Sequence, residues 1–249
     1  MPLSAWNKRA GYFLLTFLLL GAGAFALSYR AIFQAVKAQR LSGFQNFEQT
    51  YVINLPQRTD RLDRIRQELR SVGINNFTLV AGVKHPCGAL GCSLSHIIAL
   101  QKCLDSSASN CLIIEDDFEF SVAFNMSRIL VDKLFRLPSR VWDVVFLSAN
   151  IIHDKQTRYG FLRRVLESQT TSGYVVSKQF APELLKAFTV SARHLANVAC
   201  DRNAVGMYAV DMYMKRLQPL QRFYVFHPKL GKQREDFSDI EKTSVNYGV

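Results

Sequence analysis

Short apolar runs alternate with longer amphipathic segments along most of this chain, and this alternation restricts the folds open to it. Runs of three to six apolar-rich residues are typical of buried β-strands, whereas the longer segments have the periodicity of helices. The pattern predicts one α/β domain around a mostly parallel sheet. The predicted strands are residues 51–55, 77–80, 111–114, 142–147, 174–176 and 223–226, and the predicted helices are residues 61–72, 94–104, 122–135, 181–188 and 203–217.

In an open sheet of this kind, ligands bind beyond the carboxyl ends of the strands. The residues that directly follow the predicted strands are therefore the first candidates for a functional site. The places that meet this condition are residues 54–61, 88–96, 115–117 and 148–150.

Three adjacent carboxylates, Glu115, Asp116 and Asp117, directly follow the third predicted strand. In a poorly hydrated site their mutual repulsion costs several kcal/mol unless a cation neutralises it. Oxygen ligands suit a hard divalent cation, so the triplet predicts a site for Mn²⁺ or Mg²⁺. The alternative is an exposed acidic helix start, where carboxylates interact favourably with the helix dipole.

Residues 88–96 combine two glycines with serines and a histidine before a predicted helix. Gly91 allows the backbone to approach a ligand closely, and free amides at a helix start favour a phosphate group. Ser93 or Ser95 belongs to this site or simply caps the helix. His96 orients a ligand or is an ordinary structural histidine.

Asn54, Arg58 and Arg61 lie where the first predicted strand runs into a loop. An arginine at either of the latter positions can hold a diphosphate through two hydrogen bonds. The alternative is an ordinary helix-surface ion pair between Asp60 and Arg64.

Residues 10–27 contain no charged side chain. These 18 residues, at about 1.5 Å each, just suffice to cross a bilayer core of about 30 Å. We therefore expect a type II membrane protein of the Golgi or ER with a lumenal catalytic domain; a cleaved signal peptide is the alternative. The expected parts are a cytoplasmic tail at residues 1–9, a transmembrane signal-anchor at 10–29, a stem at 30–49 and a domain at 50–249.

Five cysteines and two glycosylation sequons, at Asn76 and Asn125, are compatible with the secretory pathway. The cysteines allow up to two disulfides with one thiol left over, and free buried thiols are the alternative. The chain has 31 Lys and Arg against 20 Asp and Glu, a net charge of +11. These basic residues are scattered through amphipathic segments, which predicts no nucleic-acid partner.

Six segments between about residues 50 and 241 follow one another in a recognisable order: INLPQRTDR, GALGCSLSH, LIIEDDFEF, TTSGYVVS, AVDMYM and PKLGKQREDFSDI. Together they resemble glycosyltransferase family 25, which contains lipopolysaccharide-type glycosyltransferases and collagen hydroxylysine galactosyltransferases. The resemblance implies a GT-A-like, Rossmann-type fold, a UDP-sugar donor and inverting transfer of a hexose, commonly galactose, to a hydroxyl. Ala89 departs from the pattern, since many members carry an acidic residue there.

The resemblance also assigns roles to the carboxylates, which stand at the position of the family's DxD-like motif. Asp117 is then the first metal ligand and Glu115 the second, and the metal bridges the diphosphate and assists the departure of UDP. The residues expected to bind the donor and its metal are Asn54, Arg58, Arg61, Gly91, Ser95, His96, Glu115, Asp116 and Asp117.

An inverting transfer requires a carboxylate base on the acceptor side. Asp211 is the candidate because it lies alone among apolar residues at the start of a helical pattern, where an unpaired carboxylate is costly. Helix capping is the alternative. We further expect Thr171, Ser172 or Tyr174 at the acceptor pocket, His227 as an additional metal ligand, and Gln233, Ser238 and Asp239 either closing over the donor or in a solvated tail.

Two other classes of function remain open. A metal-dependent phosphohydrolase or nuclease also gathers carboxylates behind a strand. A membrane-anchored sugar-binding module would bind a sugar without turning over a donor.

Overall fold

A central sheet organises the computed structural model, which describes residues 43–198, 200–238 and 243–245. The predicted membrane anchor, most of the predicted stem and Asp239 lie outside these residues. Within the described part of the chain, no helix combines the length and the apolar character needed to span a membrane. A 3₁₀ turn at Gly43–Asn46 already contributes a buried Phe44 to the core, before the predicted domain boundary at residue 50.

The strands of the described residues form one large sheet and two small antiparallel pairs. In chain order they are β1 (Gln49–Asn54), β2 (Thr78–Ala81), β3 (Asn110–Glu115), β4 (Phe118–Phe120), β5 (Val144–Gln156), β6 (Leu162–Ser177), β7 (Phe223–Phe226), β8 (Gly231–Gln233), β9 (Asp236–Ser238) and β10 (Thr243–Val245). The large sheet has the order β2-β1-β3-β6-β5-β7, and β6 alone runs against the other five strands. The small pairs are β4 with β8 and β9 with β10.

Helices cover both faces of the large sheet. They are α1 (Thr59–Ser71), α2 (Gly88–Asp105), α3 (Phe124–Phe135), α4 (Ala181–Asn197), α5 (Arg202–Tyr208) and α6 (Val210–Met214). Residues of α2, α4 and α6 pack on one face, and residues of α1 and α3 pack on the other. The prediction of an α/β domain with a mostly parallel sheet is therefore confirmed.

The side chains of β3 show why its sequence is an unbroken apolar run. Cys111 and Ile113 pack into the layer that contains α2, whereas Leu112 and Ile114 pack into the layer that contains α1. A strand buried on both faces needs apolar residues at every position. The apolar run of β3 ends at Glu115, the last residue of the strand, at the edge of the sheet.

The long antiparallel hairpin of β5 and β6 is the largest departure from the predicted elements. These strands have 13 and 16 residues, far more than their short apolar runs indicate. Their pairing contains register shifts between Phe146 and Asp154, which disturb the two-residue alternation by which strands are recognised. The predicted helix at residues 203–217 is also interrupted, because Ala209 between α5 and α6 is extended, with φ −53° and ψ 149°.

Two disulfides both involve α2. Cys87–Cys200 joins the residue before α2 to the segment that precedes α5, and Cys103–Cys111 joins the last turns of α2 to β3. Cys92 retains a free thiol. The prediction of two disulfides with one thiol left over is confirmed, and the alternative of free thiols holds only for Cys92.

Candidate active site

β3 brings the three carboxylates to the carboxyl edge of the large sheet. The strand ends at Glu115, and Asp116 and Asp117 form the turn into β4. The side chains of the two aspartates are only 10% and 12% exposed. The acids therefore lie together in a poorly hydrated site, as predicted. The alternative of an acidic helix start is wrong, because the next helix, α3, begins only at Phe124.

Asp116 has hydrogen-bonding partners within the protein for both of its carboxylate oxygens. Arg61 Nη1 lies 3.0 Å from Oδ1, and Asn54 Nδ2 donates to Oδ2 over 2.7 Å. Burial raises the pKa of Asp116, although Arg61 and Asn54 favour its ionised form. Asn54 and Arg61 thus contact the acidic turn, whereas the sequence predicted them to bind the donor, a role that stays a prediction. Arg61 also lies 3.4 Å from Asp117, so its guanidinium neutralises part of the negative charge of the triplet, and the metal site stays a prediction.

Asp117 retains one carboxylate oxygen without a protein donor. Its Oδ2 accepts a hydrogen bond from Gln233 Nε2 over 3.1 Å, because β8 pairs with β4 and brings Gln233 beside the turn. Its buried Oδ1 has no hydrogen-bond partner among the described residues. Burial, together with the charges of Glu115 and Asp116, raises the pKa of Asp117 to about 7. A buried acceptor of this kind suits a cation, so the residues present fit a divalent metal.

Glu115 is held as an ionised carboxylate by two hydrogen bonds to the same oxygen. Thr171 Oγ1 donates to Oε1 over 2.7 Å, and His96 Nε2 lies 3.1 Å from Oε1. Burial opposes ionisation, but these two partners together lower the pKa of Glu115 below its usual value. Within the described residues, no hydrogen bond goes to Oε2.

His96 is fully buried and connects Glu115 to the core. Its Nδ1 lies 3.1 Å from the hydroxyl of Tyr174. An ionised carboxylate only accepts hydrogen bonds, so we assign the ring proton to Nε2 and let Nδ1 accept from Tyr174. His96 and Tyr174 therefore orient Glu115.

A pocket of about 260 Å³ opens beside Glu115. It lies between α2, the middle of β6 and the α5–α6 segment, and both Glu115 and Asp211 line it. Polar side chains provide further hydrogen-bonding groups on its wall. These include Asn150, Gln169, Thr171 and Gln233.

Asp211 lies in the first turn of α6 and accepts two backbone hydrogen bonds. Thr170 N donates to Oδ2 over 3.0 Å, and Met212 N donates to Oδ1 over 2.9 Å. The capping alternative is wrong, because the residue at the N-cap of α6 is Ala209. Thr170 has a φ of +69°, which a β-branched residue rarely adopts, so Asp211 also stabilises an unusual backbone conformation at the pocket.

Arg58 lies at the edge of this region and contacts Asp60. Its Nε is 3.1 Å from Asp60 Oδ1, while Arg64 Nη2 is 2.7 Å from Asp60 Oδ2. The predicted ion pair between Asp60 and Arg64 is thus confirmed. The carbonyl oxygen of Arg58 accepts a hydrogen bond from Asn54 Nδ2 over 3.0 Å, which links the loop to the acidic turn.

Gly91 and Ser95 attach α2 to the segment that follows β2. Ser95 Oγ donates to the carbonyl of Gly91 over 2.7 Å and accepts from Val83 N over 2.8 Å. Both residues lie within α2, because the helix begins at Gly88 and has Cys87 at its N-cap. The predicted glycine loop before the helix is therefore wrong, as is the serine cap by Ser93 or Ser95.

Replacing Gly91 with alanine is expected to destabilise the fold by about 1–3 kcal/mol, because an added Cβ would lie 2.4 Å from the carbonyl oxygen of Val83. Thermal and denaturant unfolding measure this change. Gly206→Ala is the control, because a Cβ there meets no atom within 4 Å and alanine is favoured in a helix. A Gly91→Ala protein as stable as the Gly206→Ala protein would contradict the close approach.

The remaining predicted residues are divided between the site and its surroundings. Thr171 and Gln233 contact the carboxylates, whereas Ser172 is fully buried. His227 is exposed and lies outside the carboxylate cluster. Ser238 is part of β9.

Sequence reasoning assigned no role to Cys92 and missed the pocket residue Gln169. Cys92 and His96 are four residues apart on a helix, and this spacing alone would have placed both on one face. Asn150, in contrast, belongs to residues 148–150, which the sequence pattern had indicated as a candidate part of the site. Gln169 carried no signal, because its strand was not recognised at that position.

Solved structures with similarity to this chain include a glycosyltransferase involved in the glycosylation of the major capsid of PBCV-1. It is 11% identical, with a TM-score of 0.47, and the match covers 78% of this chain and 95% of that one. The mannose-1-phosphate geranyltransferase from Thermus thermophilus is 12% identical with a TM-score of 0.42, covering 80% and 63%.

Curated relatives include procollagen galactosyltransferase 2 of Homo sapiens, which is 24% identical over 179 residues. Procollagen galactosyltransferase 1 of Danio rerio is 26% identical over 175 residues. Each match covers 57% of this chain but only 28% and 29% of the relative. The chain thus spans less than a third of the length of these relatives.

The sequence model of a family described as Glycosyltransferase family 25 (LPS biosynthesis protein) matches residues 86–214, just over half of the 249 residues. This range contains α2, the acidic turn, the middle of β6 and Asp211. It therefore covers the elements that form the pocket, apart from β8. On this match, the chain belongs to glycosyltransferase family 25.

Proposed function

We propose that this chain transfers a hexose, with galactose the first choice, from a UDP-sugar to a hydroxyl of a glycan, lipid-linked saccharide or protein. The proposal includes a GT-A-like fold, a metal-assisted donor site and inversion at the anomeric carbon. One observation supports it most: Glu115 and Asp211, carried by different elements, line one pocket beside the acidic turn. The relatives, which are procollagen galactosyltransferases, support the choice of galactose.

Glu115 and Asp117 form the metal-binding part of the proposed donor site. Asp117 Oδ1 has no protein donor within the described residues, and Glu115 Oε2 receives no hydrogen bond there. These oxygens would hold Mn²⁺ or Mg²⁺, which would stabilise the negative charge that develops on departing UDP. Arg61 and Asn54 position the turn through Asp116.

Asp211 is the proposed base. The backbone amides of Thr170 and Met212 fix its carboxylate at the pocket wall, and each oxygen still has a lone pair available. The acceptor hydroxyl would donate its proton to Asp211 as its oxygen bonds to the anomeric carbon. The bond between that carbon and the UDP oxygen breaks in the same displacement, on the opposite side of the sugar.

We also propose that residues 10–29 anchor the protein in a membrane of the secretory pathway, with the catalytic domain in the lumen. The two disulfides support an oxidising compartment. Asn76 and Asn125 are both exposed, as glycosylation sequons of a lumenal domain require.

A donor screen tests the enzymatic proposal directly. The purified full chain is incubated with Mn²⁺, single UDP-sugars and a mixture of hydroxyl acceptors, and released UDP is measured. We expect acceptor-dependent release with one UDP-hexose. Release that is independent of acceptor would favour a hydrolase, and binding without release would favour a sugar-binding module; either outcome contradicts the proposal.

The affinity for Mn²⁺ is expected to rise about tenfold per pH unit up to about pH 7 and then to level off. Below the pKa of Asp117, which is about 7, the cation must displace a proton from this carboxyl group. Titration calorimetry at several pH values measures the trend. A flat profile, or UDP binding that is unchanged after chelation, would exclude Asp117 as a ligand.

A further inference from the structure

The free thiol of Cys92 lies close to His96 and Glu115. Of these three residues, only Glu115 belongs to the metal site predicted with Asp117. Cys92 and His96 share one face of α2, and Glu115 ends the neighbouring strand β3. One ligand atom from each of the three residues lies within 4.8 Å of the other two. Sulfur, imidazole nitrogen and carboxylate oxygen are thus gathered around one point.

The distances suit a tetrahedral ion with short bonds. His96 Nε2 and Glu115 Oε1 are 3.1 Å apart. Nitrogen and oxygen ligands that bind tetrahedral Zn²⁺ at about 2.0–2.1 Å lie about 3.3 Å from each other. His96 and Glu115 would therefore need only a small displacement to admit the ion in place of their hydrogen bond, and Cys92, whose ligand atom lies within 4.8 Å of theirs, would complete the site by moving its side chain towards it.

The donor set favours a thiophilic cation over a hard one. Thiolate and imidazole ligands select Zn²⁺ and similar ions, whereas Mg²⁺ and Mn²⁺ prefer oxygen. Tyr174 can accept a hydrogen bond from His96 Nδ1 in the tautomer that frees Nε2 for a metal, and metal-bound histidines usually have such an outer contact. The thiol also lies in the electrostatic field of Glu115, Asp211 and Asp117, which attracts cations.

The pocket gives the ion a route to these ligands. Cys92 and Glu115 both line it, so an ion bound there would keep one coordination position facing the pocket. Such an ion would bind Glu115 in place of the predicted donor-site metal and would reduce the space in which a sugar would bind.

We propose that Cys92, His96 and Glu115 form an inhibitory site for a thiophilic divalent cation of the Zn²⁺ class. On binding, the thiol of Cys92 releases its proton to solvent and a sulfur–metal bond forms. The ring proton of His96 moves from Nε2 to Nδ1, where it is donated to the hydroxyl oxygen of Tyr174, and Nε2 bonds to the metal. The binding itself is independent of the proposed function, and only its inhibitory effect rests on it.

Co²⁺ provides the direct probe, because a cobalt–thiolate bond gives an intense charge-transfer absorption. The other four cysteines form the two disulfides, so this absorption in the oxidised full chain would report Cys92. We expect the absorption to saturate near one Co²⁺ per chain, to disappear when Zn²⁺ is added and to be absent in Cys92→Ala. Ser93→Ala, a change at the neighbouring helix position, should retain it.

The inhibitory effect is measured as the Zn²⁺ concentration that halves transfer in the presence of excess Mn²⁺. Each variant is compared with its own rate in the absence of zinc. In Cys92→Ala, the Zn²⁺ concentration that halves transfer should rise at least about tenfold. Lack of the cobalt–thiolate absorption, or its persistence in Cys92→Ala, would overturn the proposal. An inactive wild-type chain that still shows the absorption would instead contradict the proposed function and leave the metal site standing.

Discussion

Asp117→Asn is expected to lower the rate of sugar transfer by about 100- to 1,000-fold, the usual effect of removing one preorganised electrostatic contact in an active site. At pH 8 and without metal, the Asp117→Asn protein should be at least as stable as the wild type. Wild-type Asp117 has a pKa of about 7, so at pH 8 the fold holds a buried negative charge beside Glu115 and Asp116. Asparagine removes that repulsion and keeps the size of the side chain.

The stability comparison separates this loss of activity from misfolding. Asp63→Asn is the control, because Asp63 is a well-exposed carboxylate on α1 that pairs with Arg66. It should change neither activity nor Mn²⁺ binding. Thermal unfolding with and without Mn²⁺ should show stabilisation by the metal in the wild type and in the control, but not in Asp117→Asn. A folded Asp117→Asn protein with ordinary activity would remove Asp117 from the metal site.

Asp211→Asn is expected to slow turnover by about 100- to 10,000-fold with little change in UDP affinity. Asparagine can still accept the hydrogen bond from Thr170 N, but it cannot accept a proton from the acceptor. Its amide group would also face Met212 N, which is itself a donor, so we expect a stability loss of about 1 kcal/mol. Single-turnover kinetics and UDP titration measure the two effects separately.

Asp201→Asn provides the matched control for this change. Asp201 also accepts a backbone hydrogen bond, from Ala204 N over 2.8 Å, and it does so as the N-cap of α5. Asparagine and aspartate are equally good N-caps, so both stability and turnover should be preserved. If Asp211→Asn turned over as fast as this control, another group would have to be the base.

The position of the carboxylates was predictable from the sequence, because it depends on local pattern alone. A strand that is buried on both faces cannot continue past a charged residue, so the apolar run of β3 ends at Glu115. In a mostly parallel sheet, that carboxyl end of the strand lies at the edge where ligands bind. Their partners were not predictable. The contact of Arg61 with Asp116 depends on how α1 returns across the turn, and the contact of Gln233 with Asp117 depends on the pairing of β8 with β4.

The roles of Gly91 and Ser95 were misjudged for a similar reason. A glycine beside polar residues at a helix start has the same sequence pattern whether it approaches a phosphate or another part of the chain. Here the neighbour is the carbonyl of Val83, which no local pattern indicates. Asp211 carried a clearer signal, since a carboxylate among apolar residues must find partners, and it finds the amide of Thr170.

One disulfide is attached near the last turn of α2 and the other directly before its first turn, and this arrangement bears on how the pocket would bind a substrate. One ties the helix to β3, which carries Glu115, and the other ties it to the segment leading into α5 and Asp211. The two sides of the pocket, which carry Glu115 and Asp211, are therefore both linked covalently to α2 in the absence of a ligand. A pocket whose sides are already fixed loses less conformational entropy when a ligand binds, because fewer of its residues have to become ordered.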